Sequence, residues 1–236
     1  MAERIDFHAH VLPGADHGSD SVETSLAQLN QAAAAGVTKL IATPHFYPDR
    51  ADASRFFDRR QRALDTLRGA YTGGVALLPG AEVFLCEGLQ HHPRLQALCA
   101  EGTNTLLIEM PNPPWPPRFQ GTLTALLELG FRVVLAHIER YPFRDIKPLL
   151  AMGCRAQLNA GCLASPLQRG RYLRLVEQGA VWALGSDVHG QDGRAYRELS
   201  KAWKALGSRG EALAGRMASL LAPAASIGSF QQTTKE

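Results

Sequence analysis

The chain lacks the features by which several protein classes declare themselves. None of its four cysteines, Cys86, Cys99, Cys154 and Cys162, belongs to a CxxC pair, so a disulfide framework is not expected and the thiols suit a reducing compartment. No apolar stretch follows Met1-Ala-Glu-Arg4, which runs straight into Ile5-Asp-Phe-His8. A secretory signal is therefore not expected, and the cytoplasm is the default location. The longest uncharged run, 217–234, contains Pro223, several serines and two glutamines, which reads as a helix end plus tail, with no membrane insertion. Blocks of like charge are missing too. Lys and Arg exceed Asp and Glu by only 25 to 22, too small an excess to point to a nucleic-acid or membrane surface.

Catalytic signatures are equally sparse. No cysteine has an arginine six positions on, since His92, Thr105, Ala160 and Gln168 stand there; this removes the cysteine-phosphatase loop. There is no Gly-x-Ser-x-Gly elbow, no Gly-x4-Gly-Lys phosphate loop and no dinucleotide glycine fingerprint. With no side-chain nucleophile in view, hydrolysis would have to use metal-activated water.

What remains is a chain of 236 residues, 45% hydrophobic and 20% charged, the size and composition of one globular domain and close to that of a single α/β barrel. Residues 1–222 are assigned to that domain and 223–236 to a C-terminal tail. Seven strands are expected, at Arg4–His8, Lys39–Thr43, Ala76–Phe84, Thr105–Met110, Arg132–His137, Ala156–Asn159 and Val181–Ser186. Helical patterns alternate with them: Val22–Ala35, Ala53–Arg68, Leu89–Ala100, Gln120–Leu129, Ile146–Met152, Leu167–Gln178, Ala195–Leu206 and Glu211–Leu221. Glycines 36, 69, 102, 130, 153, 179 and 207 stand where helix ends need a C′ residue. Strand–helix units of this kind give parallel strands covered by helices, in a barrel or a doubly wound sheet. The segment Met110-Pro-Asn-Pro-Pro-Trp-Pro-Pro117 has five prolines in eight residues and must be a stiff extended loop. It is placed either as one wall of a substrate cleft or as a rigid cap.

Polar residues fall at particular places in this alternation. His8 and His10 end the first strand, His45 follows the second, Glu82 lies in the third, Glu109 ends the fourth, His137 ends the fifth, and Asp187 and His189 follow the seventh. In a parallel barrel these positions share the C-terminal rim. Imidazoles mixed with carboxylates suit Mn, Fe or Zn, and so many groups exceed the four that one tetrahedral ion takes, so two or three ions are expected. His8 and His10, like Asp187 and His189, have the i, i+2 spacing that puts both side chains on one strand face. In the loop Gly14-Ala-Asp-His-Gly18, either Asp16 or His17 could reach the ions; His17 is preferred. Asp6 is assigned to support of the first strand's turn, Glu23 and Asp145 to the first turns of their helices, and His91 and His92 to the surface.

Five ordered blocks carry a resemblance: Ile5-Asp-Phe-His-Ala-His-Val-Leu-Pro-Gly14, Ile41-Ala-Thr-Pro-His45, Gly80-Ala-Glu-Val83, Ala136-His-Ile-Glu-Arg-Tyr141 and Gly185-Ser-Asp-Val-His189. Together they resemble the polymerase-and-histidinol-phosphatase (PHP) superfamily, and within it the manganese-dependent bacterial protein-tyrosine phosphatases of capsule and exopolysaccharide regulation. The resemblance implies a single-domain α/β fold, a distorted seven-stranded (β/α)7 barrel, with Mn at a site of His8, His10, His17, His45, Glu82, Glu109, His137, Asp187 and His189. His17 stands where that branch usually has the second Asp of an Asp-Asp-Gly run. Arg140 and Arg194 match the branch's two phosphate-binding arginines. The implied substrate is a phosphotyrosine protein, the tail of a polysaccharide-export tyrosine kinase. Two ions about 3.5–4 Å apart can share a hydroxide and aim it at a phosphate monoester. The alternatives are a small-molecule phosphatase acting on histidinol phosphate or a nucleotide, and a metal-bound regulatory protein without turnover.

Overall fold

The computed structural model describes residues 3–223, so the expected tail from 224 onward lies outside the described residues. Strands β1 (Ile5–Ala9), β2 (Lys39–Ala42), β3 (His45–Phe46), β4 (Ala76–Pro79), β5 (Glu82–Phe84), β6 (Thr105–Glu109), β7 (Arg132–Leu135), β8 (Arg155–Asn159) and β9 (Val181–Gly185) all pair in parallel. They form a three-stranded sheet, β1-β2-β4, and a six-stranded one, β3-β5-β6-β7-β8-β9. Every residue of β1 is buried, as expected of a parallel strand covered on both faces.

Among the described residues, the expected seven-stranded barrel is therefore corrected to nine strands in two sheets that do not close into one continuous ladder. The third expected strand, Ala76–Phe84, is cut in two, stopping at Pro79 and resuming at Glu82 after Gly80-Ala81; the second, expected over Lys39–Thr43, stops at Ala42, and a further short strand begins at His45 after Thr43-Pro44, so that a proline stands at each break. Proline supplies no ladder donor. At Gly80 a Cβ would meet Ile41 Cγ2 at 3.0 Å, so only glycine lets the chain pass that close. Each break moves the chain from the smaller sheet to the larger. As a result His45 and Glu82 face one another in register at the larger sheet's edge. The sheets meet again at the opposite side, where Asp187 N donates to His8 O at 2.8 Å and His10 N to Val188 O at 3.3 Å.

The helices are α1 (Val22–Ala34), α2 (Ala53–Ala70), α3 (Pro117–Glu128), α4 (Phe143–Ala151), a short α5 (Gly161–Ala164), α6 (Arg169–Glu177), α7 (Arg194–Leu206) and α8 (Arg209–Leu220). Ser21 caps α1 by accepting from Thr24 N, and Asp52 caps α2 by accepting from Ser54 N and Arg55 N, each worth about 1 kcal/mol. Glu23 and Asp145 sit in the first turns of α1 and α4 as expected. The helix expected over Leu89–Ala100 is instead two 3-10 turns, Leu89–His91 and Leu95–Leu98, because Pro93 interrupts the hydrogen-bond ladder between them. Gly69 lies inside α2 and ends nothing. Gly36, Gly130, Gly153, Gly179 and Gly207 follow helix ends at positive φ, whereas Gly102, also at positive φ, closes no helix.

The core is continuous from Ile5, Phe7 and Leu40 through Phe46, Val83 and Leu107 to Val134, Leu158 and Leu184. Each such side chain contributes roughly 1.5–3 kcal/mol by leaving water. α8 covers the far end of the strands, where Thr105 Oγ1 donates to Leu220 O at 2.6 Å and Arg132 Nη1 to Ser219 O at 3.0 Å. That leaves the C-terminal ends of the strands as the place where polar side chains collect.

Candidate metal centre

His8 and His10 at the end of β1, Glu109 at the end of β6, His137 after β7, and Asp187 and His189 after β9 meet His45 and Glu82, which open β3 and β5 just beyond the ends of β2 and β4, at one rim. Their ligand atoms form three overlapping groups, His10–His45–His189, His8–His10–Glu82 and His45–Glu82–Glu109, each with its members' ligand atoms within 4.8 Å of one another. Glu82, 1% exposed, lies at the centre. Its Oε1 is 2.7 Å from His137 Nε2. Its Oε2 is 3.0 Å from His45 Nδ1, 3.1 Å from His8 Nε2 and 3.2 Å from His10 Nε2. Asp187 Oδ1 faces the same space, 3.6 Å from His8 Nε2 and 3.5 Å from His10 Nε2.

The contact of Glu82 Oε1 with His137 Nε2 is a hydrogen bond, whereas the approaches to Glu82 Oε2 are not. Glu82 Oε2, His45 Nδ1, His137 Nδ1 and His189 Nε2 are buried atoms without a hydrogen-bond partner, although buried polar groups ordinarily find one. The His8 and His10 Nε2 atoms lie 3.0 Å apart, aimed at each other. Lone pairs that converge without a donor between them fit divalent cations, and hard carboxylate oxygens mixed with imidazole nitrogens fit Mn, Fe or Zn.

Electrostatics point the same way. Burial alone would raise the Glu82 carboxyl, yet the surrounding imidazoles, His8 first, hold it well below the ordinary range. Burial would lower His10, but Asp16 and Glu82 carry it up to about 10. The same burial lowers His137 and His189, which keeps those two imidazoles in the neutral, metal-binding form. Two of the rim residues, His137 (φ 32) and Asp187 (φ 51), adopt left-handed backbone conformations. Non-glycine residues in this region cost energy and collect at functional sites.

The loop after β1 divides its work between two residues. Asp16 Oδ2 accepts from His10 Nδ1 at 2.6 Å and from His45 N at 3.0 Å, while its Oδ1 accepts from Gly18 N at 2.9 Å. It supports His10 from behind. His17 turns its ring towards the cluster, with centroids 4.9 Å from His45 and 4.7 Å from His189. Gly18 admits no side chain, because a Cβ there would come within 2.0 Å of His10 Cβ.

The two arginines are placed differently. Arg140 Nη2 donates to Asp187 Oδ2 at 2.5 Å. Arg194 opens α7 with Nε on Glu198 Oε1 at 2.8 Å. It reaches the centre only as part of the wall of a 490 Å³ cavity that also includes Asp187, Asn159 and Glu139, the last pushed up to about 7 by burial. The proline-rich loop packs against Tyr141. Trp115 Nε1 donates to Pro111 O at 2.6 Å, and its ring meets Tyr141 edge-on at 5.5 Å. With Pro113, Pro114 and Pro142 it lines a 390 Å³ cavity. His91 is exposed, while His92 is half-buried edge-on against Phe46; neither approaches the centre.

Two residues escaped the sequence reading. Asn159 Nδ2 donates to Asp187 Oδ2 at 2.8 Å, and Gln157 touches both His8 and His137. Their signal was present: two amides at i, i+2 in a strand that a parallel sheet should make apolar. Asp6 proves to be a deeper support than a turn. It accepts from Ser186 N at 2.8 Å and His8 N at 3.4 Å, tying β1 to the end of β9.

Burial outweighs those bonds and pushes the Asp6 carboxyl from 3.8 up to about 6. A carboxyl raised in the folded chain holds its proton more tightly there than when unfolded. Asp6 therefore favours the fold below about pH 4, and that contribution is lost as pH rises through about 6. Asp6→Asn should remove this loss, about 3 kcal/mol for a shift of about two units. Urea unfolding of both proteins between pH 4 and 7 measures it; a stability difference that stays constant across that window would contradict it.

The family model described as "Capsular polysaccharide synthesis, CpsB/CapC" matches residues 4–218. The chain is 26% identical over 212 residues to the tyrosine-protein phosphatase CpsB of Streptococcus pneumoniae, covering 80% of this chain and 84% of that protein. It is 30% identical over 204 residues to the tyrosine-protein phosphatase YwqE of Bacillus subtilis, covering 78% and 77%. A solved chain from the crystal structures of YwqE from Bacillus subtilis and CpsB from Streptococcus pneumoniae, described as unique metal-dependent tyrosine phosphatases, superposes with a TM-score of 0.74 at 25% identity over 91% of both chains. Histidinol phosphate phosphatase from Lactococcus lactis shares the fold, with a TM-score of 0.58 at 14% identity over 88% of this chain and 94% of that one.

Proposed function

This chain belongs to the CpsB/CapC family of capsular polysaccharide synthesis, and from that premise we propose that it is a metal-dependent phosphatase that hydrolyses phosphotyrosine in a protein. The observation that carries the reading is the convergence of three imidazole nitrogens within 3.2 Å of Glu82 Oε2, a buried oxygen that has no hydrogen-bond partner, beside an arginine on Asp187. His8, His10, His45, Glu82, Glu109, His137, Asp187 and His189 would hold two or three divalent ions, and His17, facing His45 and His189, would complete the set. Manganese is the ion proposed, with Fe or Zn compatible with the same donors. When bound, such ions neutralise phosphate charge and make water nucleophilic at neutral pH.

The protein's own groups supply the rest. A phosphate monoester carries about two negative charges, and Arg140 at the rim offers a planar fork of donors to its non-bridging oxygens, which a lysine cannot reproduce. Arg194 is proposed as the second arm, and to reach the ester it must leave Glu198. Asp16 and Asp6 keep His10 and the β1 backbone in place. A phenol has a pKa of about 10, so the leaving group needs less protonation than a serine alkoxide would and a dedicated general acid is optional. The proposed substrate is the tyrosine-phosphorylated tail of a polysaccharide-export kinase. Among the described residues, no helix is long and apolar enough to cross a membrane.

Steady-state comparison tests the substrate class. A tyrosine phosphopeptide should turn over with higher kcat/KM than histidinol phosphate or a nucleotide; the reverse order would make this a small-molecule phosphatase. The cysteines provide a separate check on mechanism. Burial pushes the Cys99, Cys154 and Cys162 thiols up to about 12 and raises Cys86 as well, so none is a ready thiolate. Activity should survive thiol-blocking reagents, and prompt inactivation at stoichiometric reagent would point back to a cysteine nucleophile.

A further inference from the structure

Two amides on β8, Gln157 and Asn159, stand two residues apart and therefore on one face of the strand. Gln157 is fully buried. Its Oε1 lies 2.5 Å from His137 N and 3.4 Å from His8 Nδ1. Its Nε2 lies 3.0 Å from Asn159 Oδ1, and Asn159 Nδ2 lies 2.8 Å from Asp187 Oδ2.

The two ends of this chain admit only one polarity. A peptide N–H can only donate, so the Gln157 atom facing His137 N is the oxygen. An ionised carboxylate can only accept, so the Asn159 atom facing Asp187 is the nitrogen. Both amide orientations are thereby settled by chemistry that needs no visible hydrogens. The same Gln157 oxygen faces His8 Nδ1, which must then carry a hydrogen. In a neutral His8 ring the lone pair is left on Nε2. That nitrogen points at Glu82 Oε2 (3.1 Å) and Asp187 Oδ1 (3.6 Å), a repulsive arrangement unless a cation lies among them.

We propose that Gln157 and Asn159 form a hydrogen-bond relay that fixes the Nε2 lone pair of His8 towards the metal centre and, through Asp187, ties that centre to Arg140. The inference rests on the metal-phosphatase reading above. Gln157 and Asn159 are positioning residues; neither touches substrate. Arg140 Nη2 shares Asp187 Oδ2 with Asn159, so the relay ends on the oxygen that the guanidinium holds. Gly185, at the end of β9, makes room for it. A Cβ there would lie 2.5 Å from His8 Cβ and 2.9 Å from Gln157 Nε2. Partners of this kind behind a metal-binding histidine typically change metal affinity about 10- to 100-fold.

The test combines ¹⁵N NMR of the histidine rings with calorimetric titration of Mn²⁺, using Zn²⁺ as the diamagnetic ion for spectra. The wild-type protein should show His8 with its hydrogen on Nδ1, with or without zinc. Gln157→Leu should lose that fixed Nδ1–H and weaken Mn²⁺ binding about 10- to 100-fold. Should the leucine variant not fold, two others decide the matter. Gln157→Glu keeps the acceptor and should keep the His8 Nδ1–H signal. Asn159→Ala should also keep it while weakening inhibition by inorganic phosphate several-fold. A wild-type His8 protonated on Nε2 alone, or a folded Gln157→Leu protein with unchanged tautomer and Mn²⁺ affinity, overturns the relay. A wild-type protein that binds no divalent ion and releases no phosphate from a phosphotyrosine peptide overturns the functional reading instead, and the Nδ1 measurement on metal-free protein still decides the relay.

Discussion

Glu82→Gln should strip the centre of its metal and lower phosphotyrosine hydrolysis by at least about a thousandfold. The glutamate is the one residue that reaches His8, His10, His45 and His137 together. Its carboxylate, held well below its ordinary pKa chiefly by the charge of His8 against the opposing cost of burial, is the buried negative charge that offsets cations at this point. An amide is nearly isosteric but neutral, and it replaces one lone-pair-bearing oxygen with an N–H pair directed at imidazole nitrogens. Losing the ions forfeits several kcal/mol of transition-state charge stabilisation, and about 4 kcal/mol corresponds to about a thousandfold in rate. Elemental analysis of the purified variant beside its kcat/KM measures both effects. Full metal content, or full metal content with a crippled rate, would show that Glu82 is not what retains the ions.

Arg140→Ala should separate the two functions that Glu82 joins. Its guanidinium is about half exposed and touches the centre through a single oxygen of Asp187, an oxygen that Asn159 also holds. Removing it leaves Asp187 Oδ1 facing the imidazoles and should leave metal content close to wild type. The phosphate loses its planar pair of donors, and a preorganised donor of this kind is worth about 10²–10³ in rate. Arg140→Lys should recover little, because an ammonium cannot fork onto two oxygens. The same elemental analysis, with inhibition by inorganic phosphate, provides the readout. Unchanged kcat/KM in Arg140→Ala would remove the arginine from phosphate recognition.

The contrast between these arginines shows where sequence reasoning runs out. Arg140 and Arg194 were both assigned by resemblance, yet Arg140 lies on Asp187 while Arg194 is held by Glu198 four residues on, in its own helix. Apart from the resemblance Arg194 reads as an ordinary helix-start residue, and its i, i+4 pair with Glu198 fits that reading; the contact of Arg140 with a carboxylate 47 positions away has no such local signal. The same holds for Asp16 and His17. Adjacent in the loop, they divide into a hydrogen-bonded support and a ring turned to the cluster.

Alternating apolar runs and helix patterns were enough to establish parallel strands with helices over them, because burial on both faces demands continuous apolar strands and the return crossings demand helices. The histidines and carboxylates at strand ends were legible for the same reason: a parallel arrangement puts every strand's C-terminal end on one side. What only the tertiary structure decided is how the chain divides between two sheets and which polar groups lie behind the ligands. Pro44 and the Pro79-Gly80 step interrupt ladder bonds whose partners lie tens of residues away, and Gln157 meets His8 across 149 positions. Such contacts depend on which strands become neighbours, and local periodicity carries no record of neighbours.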